Sequence, residues 1–333
     1  MSNSTTGRRL STLSIGGATY DIFLTIGSMK AEGDSLKLKL GGKMPVDRVV
    51  ETCGGGACNT SVGLSRLGCD AAFCGVVGSD QWGDKLLQTM KKENVRTDAA
   101  TVVEHETSSF SIVLSMPGGD RTILYTPGVN EHLHDVTFDL DAIAQADAVY
   151  LNHLCETSCA IEDNLAEALV KKPAMHLTWN PGGCQIARGM DHTDTKALLS
   201  ITTLLLLNKE EALEFTKTAT IDDALNALTK AGVKNVCVTD GKRGVTATDG
   251  KHVYHCPILA DVKVIDTTGA GDAFGTGATW ALLQGLSLPK SLIAGTLSAA
   301  SVVGAIGAQA GLLTHTDLNS RMKSSSLTVD TIR

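Results

Sequence analysis

Between residues 142 and 239, short apolar runs alternate with longer segments of helical periodicity. The apolar runs lie at 148–152, 174–179, 204–207 and 235–239, and the helical segments lie at 161–172, 210–217 and 222–231. Alternation of this kind is typical of parallel sheets, because each helix carries the chain back to the start of the next strand. We therefore predict an α/β fold with a doubly wound, largely parallel sheet that is flanked by helices.

The first part of the chain contains shorter strand patterns. A buried strand is predicted at 12–17. Leucines alternate with lysines at 36–40, a Gly pair follows, and a further strand is predicted at 46–50, which together predict a half-exposed hairpin. A second hairpin is predicted at 108–125 with its turn at 117–120. Four such strands can pair into one small sheet. We expect a single domain over 1–333, with this sheet inserted from two segments at about 32–52 and 107–127.

Charge and composition restrict the classes of partner. The 333-residue chain has a net charge of −7 and no block of Lys and Arg, which argues against nucleic acid as its main partner. Residues 291–313 carry no charge, but small residues dominate them, so we predict a buried helix and a Gly-rich loop and no membrane partner. The nine cysteines form no C-x-x-C pair. This pattern predicts reduced, buried thiols and a cytoplasmic protein.

The Gly-rich turn at 264–277 reads V-I-D-T-T-G-A-G-D-A-F-G-T-G and leads from a β-branched run into a helix-length segment. The backbone N–H groups of Gly269, Ala270, Gly271 and Asp272 lie at the predicted helix start, where N–H groups and the helix dipole bind phosphate oxygens. The Asp272 carboxylate beside them can accept the proton of an alcohol. The turn therefore predicts phosphoryl transfer to a hydroxyl group, with Asp272 as base and the 269–272 backbone as anion hole.

Two further segments suit the binding of a substrate. Asp21 follows the first predicted strand, and ligands of open α/β sheets collect at the carboxyl ends of strands, so Asp21 is placed to bind a substrate hydroxyl. Three glycines at 54–56 precede a helical pattern and allow a ligand to approach the backbone closely, while Asn59 offers both a donor and an acceptor. We expect Asp21, Gly55, Gly56 and Asn59 to contact the substrate.

Residues 266–274 resemble the second signature of the PfkB, or ribokinase-like, family of sugar and nucleoside kinases, and residues 53–68 resemble the first. The resemblance implies a ribokinase-like fold, ATP as phosphoryl donor, Mg²⁺ as cofactor and a small sugar as acceptor. It also implies that the small sheet is a lid over the substrate and the interface of a homodimer. Many members carry Lys where this chain has Gly56, which argues against ribose itself.

The same resemblance implies residues on the nucleotide side. Asn208 and Glu211 match the N-x-x-E motif of the family, in which the carboxylate acts on Mg²⁺ through water. Nucleotide contacts are expected from Asn208, Thr239, Gly241, Gly244 and Gly307. A monovalent cation such as K⁺ would take oxygens from Asp266 and Thr268, together with backbone carbonyls of the loop at 304–311.

Two other functions stay open. A nucleoside kinase of the adenosine type shares both signatures, although few aromatic residues lie near the predicted substrate site to stack on a base. A non-catalytic regulator that binds nucleotide or sugar is the second alternative, because a fold does not fix a function. A phosphorylated sugar would require a cluster of cations, and only lone candidates such as Arg121 are present. The chain has neither G-x-x-x-x-G-K-[ST] nor G-x-G-x-x-G, which argues against P-loop and Rossmann enzymes.

Overall fold

The computed structural model describes residues 8–28, 31–32, 35–116, 121–134, 140–154, 162–172 and 174–333. The strands of this part are β1 (Ser11–Ile15), β2 (Thr19–Thr25), β3 (Ala31–Glu32), β4 (Ser35–Leu36), β5 (Arg48–Gly54), β6 (Asp70–Gly78), β7 (Ala100–Val103), β8 (Phe110–Ser115), β9 (Arg121–Thr126), β10 (Ala148–Leu151), β11 (His176–Trp179), β12 (Leu204–Asn208), β13 (Asn235–Thr239), β14 (Val245–Thr248), β15 (Val253–Cys256) and β16 (Asp330–Thr331). The helices are α1 (Gly56–Arg66), α2 (Gln81–Lys92), α3 (Leu140–Gln145), α4 (Glu162–Val170), α5 (Cys184–Arg188), α6 (Thr193–Ile201), α7 (Lys209–Thr216), α8 (Ile221–Lys230), α9 (Ala270–Leu283), α10 (Leu288–Val302) and α11 (His315–Ser324). Short 3₁₀ helices cover Gly128–His134 and Gly241–Arg243.

The main sheet has ten strands in the order β16-β15-β14-β13-β12-β11-β10-β1-β6-β7. Its strands from β7 to β13 run parallel, and β14, β15 and β16 continue it antiparallel. The strands and helices predicted between 142 and 239 are all present within a few residues of the expected bounds. The prediction of a doubly wound, largely parallel α/β sheet is confirmed.

Helices cover both faces of this sheet, as β12 shows. Leu204 and Leu206 pack in a cluster with side chains of α9 and α10, such as Phe274. Leu205 and Leu207 point to the opposite face and share a cluster with residues of α6, α7 and α8. Because both faces are buried, the strand has a continuous apolar run in place of alternating polarity.

A separate four-stranded sheet, which we call the lid, has the order β5-β2-β8-β9. The predicted second hairpin is present as the antiparallel pair β8 and β9, and its predicted turn at 117–120 lies outside the described residues. The pairing predicted within 36–50 is wrong, because β5 pairs antiparallel with β2 and not with 36–40. That partner follows β1 directly, where no strand was expected. The division of 1–333 into one domain with an inserted lid stays a prediction.

Two smaller expectations about the chain have different outcomes. The uncharged segment 291–313 forms α10 and a following loop, and none of the helices in the described part combines the length and apolar character required to cross a membrane. Six cysteines are buried thiols that form no disulfide bond, at 53, 58, 69, 74, 237 and 256. The prediction of reduced thiols is wrong for Cys184, which takes part in a disulfide bond.

Candidate active site

A cavity of about 300 Å³ lies where the order of the main sheet reverses. From β1 the chain goes to β6 and β7 on one side, and later to β10 and β11 on the other. The carboxyl ends of β1 and β10 therefore border a crevice of the kind in which open α/β sheets bind ligands. Lining residues follow β1 (Gly17, Thr19), β10 (Asn152, His153) and β11 (Asn180), and Asp272 of α9 completes this wall.

The Gly-rich turn forms the start of α9 as predicted. Gly269 is the N-cap residue with φ of +74°, and a Cβ atom there would lie 2.4 Å from the Ala308 Cβ. Within the described chain, the N–H groups of Gly269, Gly271 and Asp272 donate to no acceptor. The Ala270 N–H, also expected in the anion hole, donates to the Thr267 carbonyl oxygen at 3.3 Å. The helix start therefore offers three N–H groups to an anion.

Asp272 is half-buried at the third position of α9 and lines the cavity. Its Oδ2 accepts a hydrogen bond of 2.7 Å from the Asn59 Nδ2. Desolvation raises the pKa of Asp272 to about 6, and the Asn59 hydrogen bond opposes this rise because it stabilises the ionised form. A carboxylate with a pKa near 6 is ionised at neutral pH and is more basic than an ordinary Asp, which suits a general base.

Asn59 connects α1 to α9. Asn59 is buried, and its Oδ1 accepts a hydrogen bond of 3.1 Å from the Gln309 Nε2, which fixes the amide with its NH₂ group towards Asp272. Sequence reasoning assigned Asn59 to the substrate and missed Gln309. Asn59 does not line the cavity. The Gln309 contact joins residues 250 positions apart, and a single Gln in a Gly- and Ala-rich loop gives no signal of it.

The pH dependence of turnover tests this arrangement. Asp272 and Asp21 both have a pKa raised to about 6. If both act in the ionised form, kcat/KM for the acceptor is lost as the pH falls through about 6, with a slope approaching two. Because the Asn59 hydrogen bond lowers the pKa of Asp272, Asn59→Ala should raise that pKa. The loss of activity that Asp272 causes should then begin at a higher pH. A pH–rate profile of both proteins checks this, and an unmoved limb, or one moved to lower pH, contradicts it.

Asp21 follows β1 as expected, but it lies inside β2 of the lid, a strand that the sequence did not predict. The side chain is 8% exposed, and its Oδ1 accepts a hydrogen bond of 2.6 Å from the Ser111 hydroxyl. Burial is the main cause of its raised pKa, and the nearby charge of Asp266 adds to it. Asp21 does not line the cavity, but Thr19 of the same strand does.

The glycines at the start of α1 bring its backbone close to the sheet. Gly55 has φ of +86°, and a Cβ there would lie 2.6 Å from the Gly17 carbonyl oxygen. Gly56 packs against Asn152, whose Oδ1 would lie 2.9 Å from such a Cβ. Both glycines line the cavity, and their contact with a substrate stays a prediction.

Two asparagines that sequence reasoning did not single out as site residues also line the cavity. Asn152 donates from Nδ2 to the Ile15 carbonyl oxygen, and Asn130 donates to that of Ala18, each at 3.2 Å. The Oδ1 atoms of both side chains are buried and accept no hydrogen bond from the described residues. A buried acceptor without a donor is costly, so a hydroxyl donor from a bound ligand would relieve this cost.

The predicted nucleotide residues lie along neighbouring strand ends. Asn208 ends β12 and is paired in register with Thr239, the last residue of β13. Gly241 and Gly244 follow in the turn to β14 with φ of +51° and +86°. A Cβ at Gly244 would lie 2.2 Å from the Cys256 carbonyl oxygen, whereas a Cβ at Gly241 would meet nothing within 4 Å. These residues do not line the 300 Å³ cavity, so they form a separate part of the sheet edge.

Glu211 is compatible with a water-mediated Mg²⁺ site. Its Oε2 accepts the Asn208 N–H at 2.8 Å, and the Glu211 N–H donates to the Asn208 Oδ1 at 2.8 Å, which forms a capping box at the start of α7. The second carboxylate oxygen accepts no hydrogen bond from the described residues and can bind a metal-bound water. The described residues contain no group of three or more His, Cys, Asp or Glu that could hold a metal ion by themselves.

Asp266 lies at the start of the Gly-rich turn and is 6% exposed. Its Oδ1 accepts hydrogen bonds from the Thr268 N–H at 3.0 Å and the Thr268 hydroxyl at 2.8 Å. Its Oδ2 accepts the Gly307 N–H at 2.9 Å. Arg121 of β9 in the lid also reaches Oδ1, with an Nη1–Oδ1 distance of 2.6 Å. The structure therefore brings Asp266 and Thr268 together with Gly307, which was expected on the nucleotide side, and adds a lid arginine to them.

Comparison with known proteins identifies the family of this chain. The model of the pfkB family of carbohydrate kinases matches residues 23–315. An uncharacterized sugar kinase of Archaeoglobus fulgidus is 30% identical over 253 residues, which are 75% of this chain and 98% of that protein.

Solved structures of kinases share the fold, and two examples follow. Arabidopsis thaliana ribokinase, complexed with ribose and ATP, superposes with a TM-score of 0.78 at 23% identity, covering 96% of this chain and 100% of the other. The nucleoside kinase of Burkholderia thailandensis, in complex with inosine, gives 0.72 at 18% identity, covering 95% and 98%. The fold is therefore ribokinase-like, and this chain belongs to the pfkB family of carbohydrate kinases, phosphotransferases whose acceptor is a hydroxyl group.

Proposed function

We propose that this chain transfers the γ-phosphoryl group of ATP to a hydroxyl of a small sugar, with Asp272 as base and the 269–272 backbone as anion hole. The position of Asp272 carries this proposal. It lies in the wall of a cavity at the reversal point of the sheet and follows N–H groups that have no acceptor in the described chain. A hydroxyl in the cavity would thus lie between the base and the anion-binding helix start.

The roles of the residues follow from their chemistry. An alcohol is far more basic than a carboxylate, so Asp272 orients the hydroxyl and accepts its proton late, as the bond to phosphorus forms. The N–H groups of Gly269, Gly271 and Asp272 stabilise the charge on the transferred group. Mg²⁺ held through water by Glu211 would neutralise charge on the nucleotide phosphates. Asn208, Thr239, Gly241 and Gly244 would contact the nucleotide from the neighbouring strand ends.

The cavity favours a small acceptor with several hydroxyl groups. Its volume of about 300 Å³ is at the lower end of the range for ligand sites. The unpartnered Oδ1 atoms of Asn130 and Asn152 are acceptors that sugar hydroxyls can satisfy.

The lid is also the proposed interface of a homodimer. Its exposed apolar side chains Val49, Ile123 and Leu124 support the pairing of two copies through this sheet.

A nucleoside is the second candidate acceptor, and one observation favours it. Tyr125 of β9 and His153 line the cavity, so two rings are available to stack on a base, where the sequence suggested few. A coupled ADP-release screen over pentoses, hexoses, ketoses and nucleosides decides between the two candidates. ADP release with nucleosides alone would replace the sugar by a nucleoside. If folded protein releases no ADP with any acceptor, the kinase proposal fails and a non-catalytic regulator is favoured.

Asp21→Asn tests the proposed substrate contact of the lid. A hydrogen bond to a charged group contributes about 1.5–3 kcal/mol, so KM for the acceptor should rise about 10- to 100-fold while kcat changes less. Asp47→Asn is the matched control, because Asp47 is an exposed acid just before β5 that accepts the Gly27 N–H. Steady-state kinetics of the three proteins with the best acceptor measure the effect. An unchanged KM in Asp21→Asn would remove Asp21 from the substrate site.

A further inference from the structure

The Asp266 carboxylate does not fit the monovalent cation that the family implies at this turn. Oδ1 already accepts three hydrogen bonds, from the Thr268 N–H, the Thr268 hydroxyl and the Arg121 guanidinium, and Oδ2 accepts the Gly307 N–H. One of these donors is itself a cation. A K⁺ ion at Oδ1 would have to displace the guanidinium, and Arg121 already compensates the charge of a carboxylate that is 6% exposed.

The local charges explain why a cation is required here. A buried carboxylate is costly unless a positive charge compensates it. Asp21 is close enough to Asp266 for the two negative charges to raise the pKa of Asp21. Within the described chain, Arg121 is the basic residue that forms an ion pair with Asp266, and its side chain is 31% exposed.

Arg121 also connects the lid to the Gly-rich turn. It begins β9 of the lid, and its Nη2 donates to the Thr267 hydroxyl at 3.1 Å, next to the Gly-rich turn. Another lid strand reaches the same place, because a Cβ at Gly307 would lie 2.7 Å from the Thr52 Cγ2 of β5. The lid thus contacts both loops that hold the Asp266 carboxylate.

We propose that Arg121 takes the place of the monovalent cation: the lid supplies the positive charge that holds Asp266 and the Gly-rich turn in order. Arg121 is a positioning residue, because it acts through Asp266 and Thr267 on the helix start that carries Gly269 and Asp272. It follows that this protein binds no K⁺ at Asp266, and that its turnover does not depend on K⁺. Only the turnover part rests on the proposed kinase function.

Thallium(I), a probe for K⁺ sites that ²⁰⁵Tl NMR detects, tests the binding part without any turnover. The full-length chain should show no saturable Tl⁺ binding, whereas Arg121→Met should bind Tl⁺ in competition with K⁺. Arg121→Lys keeps the charge and should behave like the unchanged protein. Arg48→Met is the matched control, since Arg48 is an exposed arginine on the opposite edge strand of the lid.

Kinetics then test the consequence for turnover. The unchanged protein should have equal rates, within about twofold, in potassium acetate and in tetramethylammonium acetate at one ionic strength. Arg121→Met should be at least about tenfold slower in tetramethylammonium and should recover in part with K⁺.

Two binding results would overturn the proposal: saturable Tl⁺ binding by the unchanged protein that K⁺ competes away, or no Tl⁺ binding by folded Arg121→Met. If Arg121→Met does not fold, the unchanged protein decides, because a K⁺-dependent rate refutes the proposal. Absence of turnover with every acceptor refutes the kinase function but leaves the Tl⁺ result valid.

Discussion

Asp272→Asn should lower kcat by about 10²- to 10⁴-fold and leave the affinity for ATP within about tenfold, because only the proton acceptor is lost. The substitution keeps the shape of the side chain and the cavity wall. Single-turnover kinetics with the best acceptor, together with ATP titration by calorimetry, separate the two effects. Asp317→Asn is the matched control, since Asp317 is an exposed acid at the third position of α11, as Asp272 is in α9.

The stability of Asp272→Asn shows whether the loss of turnover comes from the missing base or from unfolding. The pKa of Asp272 is about 6 in the folded protein, above the ordinary value of 3.8, so ionisation opposes folding. This cost is fully present above pH 6 and absent below pH 3.8, and it amounts to about 3 kcal/mol at most. The variant should therefore melt a few degrees higher at pH 7.5 and lose this advantage near pH 4. Near-normal turnover by the stable variant would refute the role of Asp272.

Gly269→Ala should disrupt the anion hole and destabilise the protein together. The backbone φ of +74° is unfavourable for Ala, and the new Cβ would lie 2.4 Å from the Ala308 Cβ and 2.8 Å from the Ala308 Cα. Since backbone must move to relieve this overlap, we expect a loss of about 2–4 kcal/mol in the free energy of unfolding. We expect at least a hundredfold loss of turnover, roughly the cost of one misplaced oxyanion donor.

Gly271→Ala is the control in the same turn. A Cβ at Gly271 would meet nothing within 4 Å, and Ala is the better helix former, so the free energy of unfolding should stay the same or rise by up to about 1 kcal/mol. Denaturant unfolding of both variants measures the difference. Equal stabilities would mean that the turn does not hold the strained conformation described above.

The main sheet could be predicted from the sequence because its signal is local. β12 is a run of four leucines buried on both sides, and the other predicted strands between 142 and 239 are likewise short, mainly apolar runs that follow helical patterns. The lid could be predicted only in part, because local sequence does not determine which distant segment an edge strand pairs with. The leucines at 36, 38 and 40 alternate as a strand does, yet Leu40 is 97% exposed and β5 pairs with β2 instead.

The candidate site could likewise be predicted only in part. Gly55, Gly56, Gly269 and Asp272 lie on motifs whose spacing determines their position at helix starts, so the sequence could place them. The contacts of Asn59 with Asp272 and of Arg121 with Asp266 depend on how α1, α9 and the lid pack. The sequence of each element alone does not show which residues of the other elements it will contact.

The identity of the phosphorylated product tests the central claim most directly. ATP, Mg²⁺ and the best acceptor from the screen are incubated with the protein, and the products are followed by ³¹P NMR. We predict a phosphate monoester resonance that grows in step with ADP and is at least about a hundredfold slower with Asp272→Asn. Equal growth with both proteins, or ADP and inorganic phosphate with no monoester, would contradict a base at Asp272 that directs phosphoryl transfer to a hydroxyl.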